Sequence, residues 1–139
     1  MVEACSYKPI LCLDFDGVIH SYEHGWQQGT IYGTVTDGFF EWAIKANELF
    51  TLIVYSSRSK DLNHQTEMVN WMRDKYVAWY TKSIFNETIP AFAAIFQFAH
   101  EKPPAFLTID DRAITFNGDW NDAQFDPSAL ITFKPWMNK

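Results

Sequence analysis

Three short apolar runs in this chain stop abruptly on polar residues. Residues 10–15 run into Asp14 and Asp16, "TLIVY" (51–55) is followed by Ser56, and "PAFLTI" (104–109) ends at Asp110-Asp111. Near-continuous apolar runs of this length read as buried strands. The stretches between them have helical spacing. Asp37 is a candidate N-cap for a helix over 38–49, with Phe39, Trp42, Ala43, Ala46 and Leu49 or Phe50 on its apolar side. A second helix is predicted over 60–75 through Leu62, Val69, Met72 and Tyr76, and a third, opened by Pro90, over 90–100. A weaker strand signal lies at 77–84, and "AITF" and "ALITF" predict two short strands near the end. Strands alternating with helices specify an α/β fold, three layers of Rossmann-like type, with a central, mainly parallel sheet and helices on both faces.

Length and composition narrow the function classes. The 139 residues suffice for one domain spanning 1–139 and are too few for two. Almost half are apolar, with six Trp and twelve Phe, which excludes disorder. The net charge of -6, with no basic stripe, argues against long nucleic acid as a partner. No apolar run reaches the roughly 20 residues a membrane span needs. Lys8 and Asp14 interrupt any signal-peptide layout, and Cys5 and Cys12 are too few and too close for a disulfide framework. Cys12 reads as a buried free thiol, and a cytoplasmic setting fits.

In a parallel sheet, ligands bind at the carboxyl ends of the strands. Asp14, Ser56 and Asp110 would meet at that edge, which crowds Asp14, Asp16, Asp110 and Asp111 together. Clustered carboxylates repel, and their pKa values rise unless a cation neutralises them. An all-oxygen donor set suits a hard ion, Mg2+ above all. Gly17 lets the backbone turn sharply after Asp16 and approach a ligand closely. Lys102 and Arg58 are the basic groups near this edge. Carboxylates, a divalent cation, a lysine and a hydroxyl make up a phosphoryl-transfer constellation. Arg58 either binds substrate phosphate or pairs with an acid such as Asp61. His20 lies nearest the site and is a candidate substrate contact; His24, His64 and His100 read as bystanders. The loop over 17–36 holds Tyr22, Trp26 and Tyr32, which either stack on a base or pin the loop to the core.

Four segments in order resemble the haloacid dehalogenase superfamily: "LDFDGVIH" its first motif, "LIVYSSRS" its second, and "EKPPAFLTIDDRA" its third and fourth together. The longer phrases "TDGFFEWA" and "IDDRAITFNGDW" resemble a small subgroup from phages and bacteria. The resemblance implies that Asp14 is the nucleophile forming an aspartyl-phosphate. Asp16 would protonate the leaving oxygen, activate water, and bind Mg2+ through its carbonyl. Ser56, or Ser57 one residue on, would hold the phosphoryl group, and Lys102 would neutralise charge. Asp110 would bind Mg2+ directly and Asp111 through water, or else orient Lys102.

Neither gap between motifs has room for a cap domain, so a capless phosphatase acting on a nucleotide or other small phosphate ester is expected. Two other readings use the same residues. A protein on this fold could sequester a nucleotide signal without turnover. A response-regulator receiver also combines acids, Mg2+, a hydroxyl and a lysine, and "FKPW" resembles its last motif. However, too little chain separates Asp110 from Lys134 to hold the intervening strand and helix. Helix 90–100, if its aromatics are exposed, offers a face for a homo-oligomer.

Overall fold

The computed structural model describes residues 7–82 and 89–136. Its centre is a four-stranded sheet built from β1 (Ile10–Leu13), β2 (Thr51–Val54), β3 (Phe96–Phe98) and β4 (Leu107–Ile109), in the order β3-β2-β1-β4. Every pairing is parallel. The architecture is therefore the expected α/β, Rossmann-like one. The strand order reverses at β1, which puts the switch point between β1 and β4.

Register decides which residues face the core. Leu11 lies opposite Leu52, and Leu52 opposite Phe96; Leu13 lies opposite Val54. These residues share one face, and α1 (Phe39–Ala46) and α2 (Leu62–Thr81) contribute to the same core through Phe39, Phe40, Ala43, Met68, Met72 and Tyr76. Phe40 meets Tyr76 edge-on at 5.2 Å between ring centroids. The opposite face carries Cys12, Ile53, Gln97 and Thr108 in one row, with Cys12 a buried free thiol and Gln97 and Thr108 exposed. β4 is an edge strand whose three residues are all exposed. No helix among the described residues is long and apolar enough to cross a membrane.

Several elements differ from expectation. Gly38, not Asp37, is the N-cap of α1; it lies at φ 79° with no side-chain cap. The α2 helix starts after Asp61, whose carboxylate accepts from the His64 N–H at 3.0 Å, and it continues to Thr81. It therefore absorbs residues 77–81 of the expected 77–84 strand, with Lys82 as its C-cap; residues 83 and 84 lie outside the described residues. The extension follows from packing: Trp79, one turn beyond Tyr76, lies 5.5 Å from the Phe40 ring and donates its indole N–H to Glu41. The helix over 90–100 is replaced by one turn, α3 (Phe92–Ile95), followed directly by β3. In "FQF" the aromatics alternate with Gln97, so the period of two wins once β2 offers a ladder.

Neither C-terminal strand forms. "AITF" is irregular, and "ALITF" enters a short helix, α4 (Pro127–Leu130), and the turn after it. Asp126 accepts from the Ser128 N–H at 2.9 Å and Pro127 opens the turn, so local capping outcompetes β-branched composition.

Met72 is fully buried and Leu62 is 71% exposed, although both were expected on the apolar side of one helix. Met72→Ala should lower stability by about 2–5 kcal/mol in urea denaturation. Leu62→Ala should stay within about 0.5 kcal/mol of the parent. Equal losses at the two sites would contradict this helix register.

Candidate active site

The sheet ladder extends one residue past the strand ends and aligns their polar tips. Asp14 N–H donates to the Ile109 carbonyl at 3.0 Å, and Tyr55 N–H donates to the Leu13 carbonyl at 3.0 Å. Asp14 is thereby fixed beside Asp110 on one side and near Ser56 on the other. After Asp14 the chain folds back tightly, with the Phe15 carbonyl accepting from the amides of Val18, Ile19 and His20. Gly17 adopts φ +83° in this turn, and a Cβ there would lie 2.2 Å from Asp111 Oδ2. The close approach that Gly17 permits is thus to the Asp111 carboxylate.

Asp14, Asp110 and Asp111 each offer an oxygen within 4.8 Å of the others. Both Asp111 carboxylate oxygens are buried without a hydrogen-bond partner among the described residues. Burial, reinforced by Asp110, pushes the Asp14 carboxyl up to about 7. Burial also raises Asp111, against an opposing pull from Arg112. An orphaned buried carboxylate beside two others is costly, and a hard divalent cation would relieve it.

Asp16 stands outside this cluster. Arg58 donates from Nε to Asp16 Oδ2 at 2.8 Å and from Nη2 to Oδ1 at 3.1 Å. The His20 Nδ1 lies 2.9 Å from Oδ1, and its Nε2 accepts from the Gly33 N–H at 3.0 Å. That acceptor role at Nε2 assigns the proton to Nδ1, so His20 donates to Asp16. Burial pushes the Asp16 carboxyl up, but the hydrogen bonds from His20 and Arg58 outweigh it and hold it below the ordinary range.

Arg58 and His20 are both fully buried. The Arg58 guanidinium also donates to the Gly29 carbonyl at 2.7 Å and lies 4.7 Å from the Trp26 ring and 5.6 Å from the Phe15 ring. Of the two expectations for Arg58, it pairs with an acid, and that acid is Asp16, not Asp61. Trp26 is spent on Arg58 and His64. Tyr32 is tied through its hydroxyl to His24 and Gly25. Of the three loop aromatics, Tyr22 alone lines the cavity described next. It does so at φ 53°, a left-handed conformation that costs a bulky residue about 1–3 kcal/mol.

The cavity is about 320 Å³ in volume, lined by Asp14, Asp16 and Asp110, by Ser56 and Ser57, and by Tyr22. Ser56 is buried at the start of the Ser57–Lys60 turn. Its Oγ accepts from the Arg58 N–H at 3.1 Å, which leaves its own proton free to be donated. Ser57 is exposed. Lys102 does not line the cavity; it is exposed, and its charge is felt at the Cys12 thiol, which burial raises. Two lining residues were not anticipated, Tyr55 and Arg112. Each adjoins a strand-end residue already singled out, Ser56 and Asp111, and that adjacency was the available signal.

Between the ordinary carboxyl value of 3.8 and about 7, Asp14 holds its proton in the folded chain and loses it in the unfolded one. The native state then binds more protons, so stability of the cation-free protein falls as pH rises through that window. Thermal melts in EDTA should show this decline, Asp14→Asn should flatten much of it, and Mg2+ should raise the midpoint at pH 7. A flat wild-type profile would contradict the assigned crowding. No family model, curated protein or solved structure matches this chain, so the function has to be read from the site itself.

Proposed function

We propose that this protein is a Mg2+-dependent phosphohydrolase of the haloacid dehalogenase type, cleaving a phosphate ester through a phosphoaspartate on Asp14. The observation that carries the reading is the convergence of Asp14, Asp110 and Asp111, with Asp111 buried and unpartnered, beside a cavity that also takes in the Ser56 and Ser57 hydroxyls. The donor set is all oxygen and fits Mg2+, which these three aspartates would hold. Bound there, the ion would neutralise charge on the substrate phosphate and on the carboxylates.

The chemistry then follows from the chain's own groups. An Asp14 carboxylate oxygen attacks phosphorus, the bond from phosphorus to the leaving oxygen breaks, and the leaving group departs with the bonding pair and takes its proton from solvent, because Asp16, expected to supply that proton, is held ionised by His20 and Arg58. Ser56 and Ser57 donate hydrogen bonds to the phosphoryl oxygens. Water then attacks the phosphorus of the phosphoaspartate, the bond to Asp14 breaks, and phosphate leaves. Asp16 lines the cavity in its ionised form, and we assign it to take the proton that this water gives up. We read the chain as acting on small phosphate esters, nucleotides included, without a cap domain.

A second reading, a nucleotide-binding protein without turnover, is favoured by one observation. Lys102, the cation expected to neutralise the nucleophile and phosphate, stays outside the cavity. Mass analysis of a nucleotide recovered after long incubation with Mg2+ separates the two readings: intact ligand supports sequestration, and dephosphorylated ligand supports hydrolysis.

Phosphate release from p-nitrophenyl phosphate should require Mg2+ and stop in EDTA. Asp14→Asn should reduce kcat by about 10³-fold or more while the circular dichroism spectrum is retained. Turnover surviving in that variant would remove Asp14 as nucleophile.

A further inference from the structure

Of the acids lining the cavity, Asp16 alone has its carboxylate bound by other side chains among the described residues. A carboxylate offers about four acceptor sites, two on each oxygen. Oδ1 takes two donors, Arg58 Nη2 at 3.1 Å and His20 Nδ1 at 2.9 Å. Oδ2 takes one, Arg58 Nε at 2.8 Å. The acceptor site left over is therefore on Oδ2, and the Asp16 side chain keeps 12% of its surface exposed at the cavity wall.

The two clamping residues do not line the cavity themselves; both are fully buried. Each is held on its far side by the backbone of the 17–36 loop. Arg58 Nη1 donates to the Gly29 carbonyl at 2.7 Å, and His20 Nε2 accepts from the Gly33 N–H at 3.0 Å. The His20 ring also packs against Phe15 and Trp71, with centroids 5.5 and 5.4 Å away. Gly33 is matched to this arrangement, because a Cβ there would lie 2.8 Å from His20 Nε2 and 2.1 Å from Ser21 Oγ. The terminal torsion of an aspartate ordinarily ranges widely. Here the carboxylate cannot turn without losing hydrogen bonds to both partners, and bonds to a charged group are the strong ones.

We propose that His20 and Arg58 are positioning residues for the second half of the reaction: by filling Oδ1 and one site of Oδ2, they direct the remaining Oδ2 site to the water that hydrolyses the phosphoaspartate. The inference rests on the phosphohydrolase reading and assigns the proton transfer of its second step to one atom. As the water oxygen attacks phosphorus, its O–H bond breaks and the proton goes to Asp16 Oδ2. The bond between phosphorus and the Asp14 oxygen breaks with its electron pair returning to the Asp14 carboxylate, and the proton on Asp16 then passes to solvent. The first step makes no use of the clamp, since the leaving group takes its proton from solvent.

The two steps separate in the kinetics. kcat/KM reports events up to formation of the phosphoaspartate, and kcat reports its breakdown once that step is slow. On p-nitrophenyl phosphate with Mg2+, Arg58→Met, His20→Phe and Gly33→Ala should lower kcat and KM together by about tenfold or more, while kcat/KM stays within about threefold of wild type. A burst of p-nitrophenolate should precede the slow steady state, and phosphoenzyme should accumulate in acid-quenched samples read by intact mass. His20→Gln, which keeps one donor and one acceptor, should recover part of kcat. A fall in kcat/KM as large as the fall in kcat, with no burst, would overturn the proposal, because damage to folding or to substrate binding acts that way and loss of positioning does not. Variants that turn over like wild type would overturn it too. Gly33→Ala leaves both clamping side chains in the chain, so it carries the test if either buried substitution fails to fold. Turnover by the wild type separates these outcomes from failure of the hydrolase reading: a folded wild type that releases no phosphate and forms no phosphoenzyme would sink that reading and the proposal with it.

Discussion

Carboxylates brought together at the ends of parallel strands repel, and how that repulsion is met shapes the whole site. The sheet register leaves little freedom. Asp14 continues the β1 ladder onto Ile109, and Asp110 is the next residue of the neighbouring strand. The chain answers the repulsion in two ways. Asp16 is given a buried arginine and a histidine, which hold it charged. Asp14 and Asp111 are given neither and drift towards their protonated forms. One acid is neutralised from within the protein, and the others are left for something to be bound.

The two arginines show how placement outranks motif position. Arg58 follows the Ser56-Ser57 pair and, from the sequence, is an obvious candidate to meet a phosphate. Its guanidinium instead turns inward across 42 residues of sequence to Asp16 and is sealed under Trp26. Arg112, which closes the Asp110-Asp111 motif but has no role assigned to it from the sequence, lines the cavity. Trp26 changes meaning with Arg58: as the cover over a buried cation it is part of the scaffold, and Tyr22 is left as the loop's contribution to the cavity wall.

How far the sequence could be read depended on whether a segment's pattern admitted one period or two. The runs ending at Asp14, Ser56 and Asp110 were legible because an apolar stretch stopped by polar residues fits a strand in a parallel sheet and little else. The cluster of Asp14, Asp110 and Asp111 follows from those strand ends. The stretch over 90–100 was not legible, because aromatics at 92, 96 and 98 satisfy a helical spacing and an alternating one, and only the open edge of β2 decides between them. "ALITF" failed for the opposite reason: its β-branched composition was overridden by a cap and a proline just upstream. The pairing of Arg58 with Asp16 left no local trace, since neither residue's neighbours identify a partner so far along the chain.

The two residues directly after β4 are two of the three clustered aspartates, yet β4 is an outer strand of the sheet and its residues lie open to solvent. Edge elements with little buried surface are the first to fray. Each opening of β4 would carry Asp110 and Asp111 away from Asp14 together and dissolve the cluster in one event. A divalent ion gripped by all three, as we propose, would act as a clasp across that seam and keep the outer strand closed.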